Sequence, residues 1–118
     1  MSTERTSDDA VVRLAKRSID ENPCRSIDAA TLAILVGLTI GELRRILLDR
    51  QGMTPARFVL HHRLDRVREA LLAGQEIAVA ANAWGFVHRG RFGEAYLKQH
   101  LQLPEETVAS ARKNHLPE

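Results

Sequence analysis

The chain has 118 residues, of which 44% are hydrophobic and 27% charged, and its formal net charge is +2. These values are typical of one ordinary globular domain, or of two very small subdomains that share a helix. The single cysteine, Cys24, excludes an intramolecular disulfide. No apolar run approaches the roughly 20 residues that span a bilayer, and no alternating β-branched run predicts a strand. The sequence therefore predicts an all-α protein of the cytoplasm, away from the membrane.

Three helices are predicted in the first half of the chain, after a flexible polar tail over residues 1–7. Each begins after a side chain that can accept a hydrogen bond from the first helical turn. These N-cap residues are Ser7, Asp28 and Thr39. The second helix stops at Gly37, where glycine permits a tight corner. Residues 28–51 therefore have the outline of a helix-turn-helix whose second helix exposes arginines.

A long fourth helix follows this motif. Thr54-Pro55 predicts its start, because proline is favoured at the first helical position. Gly74 predicts its end. The predicted span is residues 55–73. At 1.5 Å per residue such a rod is roughly 28 Å long, so it could hold a second helix-turn-helix motif about one turn of a DNA duplex away from the first.

The same outline recurs in residues 76–100. A short fifth helix ends before Gly85, and a sixth helix from Arg89 to about His100 again exposes arginines. The spacing of four aromatic residues here predicts a small core made of Trp84, Phe86, Phe92 and Tyr96. A seventh helix opens at Pro104 and ends near Lys113, before a tail over residues 114–118.

The excess of positive charge lies in residues 39–100, from the second helix of the first predicted motif to the end of the second motif. Residues 39–100 carry ten basic side chains against six acidic ones. A surface that faces phosphates needs such an excess, although an ordinary solvated helix surface accounts for about half of these arginines.

Cys24 and four of the five histidines, His61, His62, His88 and His100, do not form a recognisable metal site or catalytic set. Adjacent histidines on a helix diverge by about 100°, and no partner lies at a ligand-like spacing. No nucleophile–base set and no glycine-rich phosphate loop is visible. We therefore expect no enzyme activity, no cofactor and no metal.

Several short segments from Ile27 to about Val108 occur in the order and spacing of one known family. They are Leu32-Ala33, Gly37-Leu38-Thr39, Leu43-Arg44-Arg45, Gly52-Met53-Thr54-Pro55, Arg63-Leu64, Ile77-Ala78, Ala81, Gly85-Phe86, Phe92 and Leu101-Gln102-Leu103-Pro104. The stretch resembles the DNA-binding domain of the AraC/XylS family of bacterial transcription regulators. The resemblance implies seven helices over residues 8–113, with two helix-turn-helix subdomains joined by the long central helix. It also implies that the third and sixth helices enter successive major grooves.

The resemblance assigns roles to individual residues. The positions that would face base edges are Ile40, Gly41, Arg44, Arg45, Arg89, Gly90, Arg91 and Glu94. The candidates for phosphate contacts are Thr39, Arg50, His88 and Lys98. Gly41 offers only its backbone, and we expect Glu94 to pair with Arg91 one turn back in preference to reading cytosine.

The chain departs from the usual family pattern at Leu47, Ala80, Gln102 and Glu105. It is also apolar at Ile34, Leu35 and Val79, where the family usually exposes polar residues. We expect part of this apolar surface to contact another domain or subunit.

The sequence thus predicts sequence-specific binding of double-stranded DNA that regulates transcription in the bacterial nucleoid, with RNA polymerase as a partner. The alternative is a helical protein-interaction module on the same fold that has lost DNA reading. Because the chain has no room for an effector or dimerisation domain, we expect it to be the DNA-binding end of a longer regulator; a stand-alone regulator is the other possibility.

Overall fold

A computed structural model describes the backbone of residues 7–115 and the side chains of residues 7–113. This part of the chain contains seven helices and no strand, as predicted. They are α1 (Asp8–Asp20), α2 (Ala29–Val36), α3 (Ile40–Gln51), α4 (Pro55–Leu72), α5 (Ile77–Ala83), α6 (Arg89–His100) and α7 (Pro104–His115). The chain divides into two compact units between His62 and Arg63, within α4. Apart from Ser7, the predicted N-terminal tail lies outside the described residues.

The helices of the first unit begin where their side chains satisfy the free backbone donors of the first turn. The Ser7 hydroxyl and the Asp28 carboxylate each accept a backbone N–H, at 3.1 and 2.8 Å. The N–H of Thr31 holds the pKa of Asp28 below its usual 3.8. A reciprocal capping box joins Thr39 to Glu42 at the start of α3. The three N-caps predicted from sequence are confirmed.

The corner of each helix-turn-helix motif depends on a glycine. Gly37 and Gly85 have φ values of +75° and +86°, in the left-handed region. A side chain at either position would strain the backbone, so these two residues let α2 turn into α3 and α5 turn towards α6.

The core of the first unit lies among α1, α2, α3 and the first half of α4. Its fully buried members include Ala15, Ile19, Leu32, Leu43 and Leu47. A hydrogen bond of 2.8 Å between His62 Nε2 and Asp20 Oδ1 ties α4 to the end of α1. Leu47, one of the positions where the chain departs from the usual family pattern, is fully buried in this core.

The core of the second unit is aromatic, as predicted. The rings of Phe86 and Phe92 lie 5.1 Å apart, and those of Phe92 and Tyr96 lie 5.7 Å apart. Leu64, Val67, Leu71, Ala80 and Ala81 are also buried here, with Trp84 packed against them. The phenol of Tyr96 is hydrogen-bonded at 2.6 Å to the fully buried Thr107, which positions α7 against α6.

The helix ends differ slightly from the predicted ones. The helix α4 ends at Leu72 and α5 ends at Ala83, each one residue early. The last helix continues to His115, so the predicted tail over residues 114–118 begins at least two residues later. No glycine or proline interrupts the sequence before Pro117, and α7 therefore has no local signal to stop at Lys113. Residues 116–118 lie outside the described part.

Candidate nucleic-acid interface

The helix α3 has one buried face and one fully exposed face. Its buried residues are Leu43, Ile46 and Leu47. Because successive residues turn by about 100°, the opposite face carries Gly41, Arg44, Arg45 and Leu48. All four are exposed. We call this set the α3 outward face. It brings together three of the four base-reading candidates predicted on α3, while Ile40 lies at its edge with 36% of its surface exposed.

Two of the predicted DNA-contacting arginines in this unit are held by carboxylates. Arg45 Nη1 lies 3.6 Å from Asp8 Oδ2 and 3.6 Å from Asp49 Oδ2. Arg50 Nε lies 3.8 Å from Asp8 Oδ2 and 3.9 Å from Asp9 Oδ1. The carboxylates at the start of α1 therefore lower the positive potential at both side chains.

Arg44 differs from its neighbour in this respect. It is exposed and forms no ion pair or hydrogen bond with any described residue. The donors of Thr39, in contrast, are already used: its N–H and its hydroxyl both donate to Glu42 Oε1 at 3.0 Å. A phosphate contact by Thr39 therefore requires the capping box to open or to share its hydrogen bonds.

The helix α6 repeats the arrangement of α3. Phe92 and Tyr96 are buried, and the opposite side carries Gly90, Arg91, Glu94, Leu97 and Lys98. All five are exposed. We call this set the α6 outward face. Arg89 lies off this face, on the flank of α6, where it lines a cavity beside α7.

The expected pair between Glu94 and Arg91 is not formed in this structure. Among the described residues neither side chain forms an ion pair or a hydrogen bond. Both are exposed, and a solvated pair gains too little Coulomb energy to offset the side-chain entropy that it costs. Glu94 and Arg91 are therefore both available to an external partner.

The helices α3 and α6 also begin differently. Thr39 caps α3 through its side chain, whereas His88, at the N-cap of α6, makes no side-chain capping hydrogen bond. The imidazole of His88 is exposed and is not used within its own helix start.

Two exposed leucines on the outward faces were missed by the sequence reasoning. Leu48 is 63% exposed and lies about two turns after Gly41 in α3. Leu97 is 44% exposed and lies about two turns after Gly90 in α6. Placing the residues on a helical wheel around the buried face identifies both, since each lies opposite the core.

The comparisons with known proteins agree with this geometry. A family profile described as a helix-turn-helix domain matches residues 32–110, which span both motifs. The chain belongs to the AraC/XylS family. This family consists of DNA-binding transcription regulators, and the chain carries its helix-turn-helix domain.

The curated relatives of the family are longer than this chain. A "XylDLEGF operon transcriptional activator" of Pseudomonas putida is 29% identical over 99 residues, which are 80% of this chain and 31% of the relative. A second activator of the same operon is 32% identical over 95 residues, which are 77% of this chain and 60% of the relative. The chain thus spans between about a third and three fifths of these relatives.

Solved structures share the fold. A transcriptional regulator of Chromobacterium violaceum with an AraC-type DNA-binding domain has a TM-score of 0.78 at 23% identity, over 87% of this chain and 93% of that one. A probable AraC family regulator of Rhodopseudomonas palustris has a TM-score of 0.67 at 25% identity, over 86% and 96%.

Neither a metal site nor a membrane-spanning helix is found among the described residues. No group of three or more His, Cys, Asp and Glu side chains in this part of the chain is arranged to hold a metal ion. No helix there is both long and apolar enough to cross a membrane.

Proposed function

We propose that this chain binds double-stranded DNA sequence-specifically by placing α3 and α6 in major grooves, and thereby regulates transcription. The observation that carries the proposal is the pair of outward faces. Each lies on the second helix of a helix-turn-helix motif, opposite a buried face, and presents an arginine without a partner among the described residues: Arg44 on α3 and Arg91 on α6. This is the geometry by which helix-turn-helix proteins read base edges.

The side chains of the outward faces match the hydrogen-bonding pattern of the major groove. Arg44, Arg45 and Arg91 are suited to the O6 and N7 acceptors of guanine. Glu94, which is not paired with Arg91, can accept from cytosine N4. Leu48 is suited to apolar contact with a thymine methyl group.

The remaining candidates fit supporting roles. Gly41 and Gly90 remove side-chain bulk where α3 and α6 would approach the bases. Ile40 at the edge of the α3 face is apolar, like Leu48. Arg50, His88 and Lys98 are suited to phosphates, which position a protein without specifying sequence, and Arg89 belongs with them because it lies off the reading face. Thr39 joins them only if its capping box opens.

We further propose that the chain acts in the bacterial cytoplasm on nucleoid DNA, with RNA polymerase as a protein partner. Support comes from the family and from the relatives, whose names describe operon activators. An effector or dimerisation domain belonging to the same regulator is part of this proposal, since the chain corresponds to only part of those relatives.

The test is selection of bound duplexes from a random pool, followed by titration of the selected site. Arg44→Ala and Arg91→Ala are the informative variants because neither removes an ion pair or a hydrogen bond with a described residue. Each should weaken binding to the selected site by about 1–3 kcal/mol and relax base preference at a different position. Lys98→Ala should weaken all duplexes alike and reduce the salt slope by about one.

A matched control is Lys16→Ala, which removes an exposed lysine from α1, outside both outward faces. It should leave the selected-site affinity nearly unchanged. Failure of the unmodified protein to bind any duplex at low salt would contradict the proposal and favour the interaction-module alternative. An equal loss on all sequences for Arg44→Ala would instead reassign that residue to a phosphate.

A further inference from the structure

A cavity of about 470 Å³ lies within the second unit, among the end of α4, the starts of α5 and α6, and α7. Its volume falls in the range of about 300–1,000 Å³ that small-molecule sites occupy. The apolar part of its wall includes Leu71, Ile77, Ala78 and Val108, and the polar part includes Arg89 and Arg112. An apolar wall with a few charged groups is the usual composition of a small-molecule site.

The charges at this cavity favour an anion. Neither Arg89 nor Arg112 forms an ion pair or a hydrogen bond with a described residue. Glu76 is the one acidic side chain among the residues that line the cavity. Two guanidinium groups and one carboxylate leave an excess of one positive charge beside an apolar wall.

We propose that this cavity binds a small organic acid, with its apolar body against α4, α5 and α7 and its carboxylate at Arg89 and Arg112. Guanidinium groups bind carboxylates through charge-assisted and often bidentate hydrogen bonds. The apolar body supplies the hydrophobic part of the binding free energy, which the guanidinium groups alone do not provide.

Binding at this cavity also affects α6. Arg89 is the first residue of α6, the helix that carries the second outward face. A bound carboxylate neutralises this arginine and adds negative charge at the start of the helix, so the bound acid weakens DNA binding. This consequence rests on the proposed function, whereas binding of the acid itself does not.

The binding test uses anilinonaphthalene sulfonate, a fluorescent anion with an apolar body, on the full chain without DNA. Ala78→Phe fills the cavity from an exposed position in α5, and Ala109→Phe is its control, an exposed alanine of α7 that does not line the cavity. We expect Ala78→Phe to abolish the fluorescence increase and Ala109→Phe to preserve it. Equal fluorescence in the two variants would overturn the proposal.

A second pair of variants tests the charge. Arg112→Gln should weaken binding of the probe roughly tenfold, because hydrogen bonds between charged groups are the strong ones. The control Lys113→Gln removes the neighbouring charge, which does not line the cavity, and should change binding less than about twofold. Octanoate should displace the probe at lower concentration than octanol. Equal displacement by the acid and the alcohol, or equal effects of the two variants, would overturn the anion assignment.

A measurement of DNA binding with and without octanoate tests the cavity and the proposed function separately. Saturating octanoate should lower the affinity of the unmodified protein for its selected duplex and leave that of Ala78→Phe unchanged. An unchanged affinity of the unmodified protein would overturn the coupling between cavity and α6. Absence of DNA binding before octanoate is added would instead contradict the proposed function, while the fluorescence results would still decide whether the cavity binds the acid.

Discussion

Replacing Asp8 should lower the stability of the fold while it strengthens DNA binding. Its carboxylate lies 3.6 Å from Arg45 Nη1 and 3.8 Å from Arg50 Nε, and it is also in the first turn of α1. Exposed ion pairs contribute about 0.2–1 kcal/mol each and a first-turn carboxylate about 0.3–1 kcal/mol. Since both arginines are more than half exposed, we expect Asp8→Asn to lower the free energy of unfolding by about 1 kcal/mol in total.

The same substitution should strengthen DNA binding at low salt. An arginine released to a phosphate makes the slope of log K against log salt steeper by about 0.9. Over a fourfold change from 50 to 200 mM salt, one released arginine therefore adds a factor of about 3.5 to the change in affinity. The assay is fluorescence anisotropy of a labelled duplex at several salt concentrations, together with thermal unfolding.

The control for this experiment is Glu105→Gln. Glu105 is a first-turn carboxylate of α7 without an ion pair among the described residues, so its removal should cost some stability without changing the salt slope. If the salt slope for Asp8→Asn equals that for Glu105→Gln, the carboxylate of Asp8 does not restrain Arg45 and Arg50.

Four further substitutions test the helices and the core. Gly93→Ala, where a methyl group meets nothing within 4 Å, should raise stability by about 0.5–1 kcal/mol without affecting DNA binding. Gly41→Ala has equal space in the free protein, yet it should weaken the selected site because it adds bulk to the α3 outward face; unchanged affinity would mean that Gly41 does not approach DNA. Thr107→Val should cost about 1–3 kcal/mol in thermal unfolding, more than Tyr96→Phe, since it leaves the buried phenol without its hydrogen-bond partner. Burial raises the pKa of Tyr96 above 10.0, so stability should fall as the pH rises above about 10, and Tyr96→Phe should flatten that fall in alkaline thermal scans.

Features that depend on neighbouring residues were predictable from the sequence. The caps at Ser7, Asp28 and Thr39 and the corner at Gly37 require only a few residues each, and the structure confirms them. The aromatic core of the second unit follows from spacing along α5 and α6, which fixes the buried face of each helix.

Features that join distant segments were not predictable in this way. Nothing near Arg45 and Arg50 in the sequence indicates that Asp8 and Asp9 lie beside them, because this contact depends on how α1 packs against α3.

The position of Arg89 on the flank of α6 could have been predicted from the sequence by drawing a helical wheel. The resemblance to the family, which assigns roles by position, does not distinguish a flank from an outward face.

Methylation interference on the selected duplex decides whether both outward faces read DNA. Methylation of guanine N7 blocks the major-groove contact that an arginine makes. Two clusters of interfering guanines should appear about 10 base pairs apart, with Arg44→Ala relieving one cluster and Arg91→Ala the other. A single cluster, relieved by the same substitution throughout, would contradict the account because only one helix would then read the site.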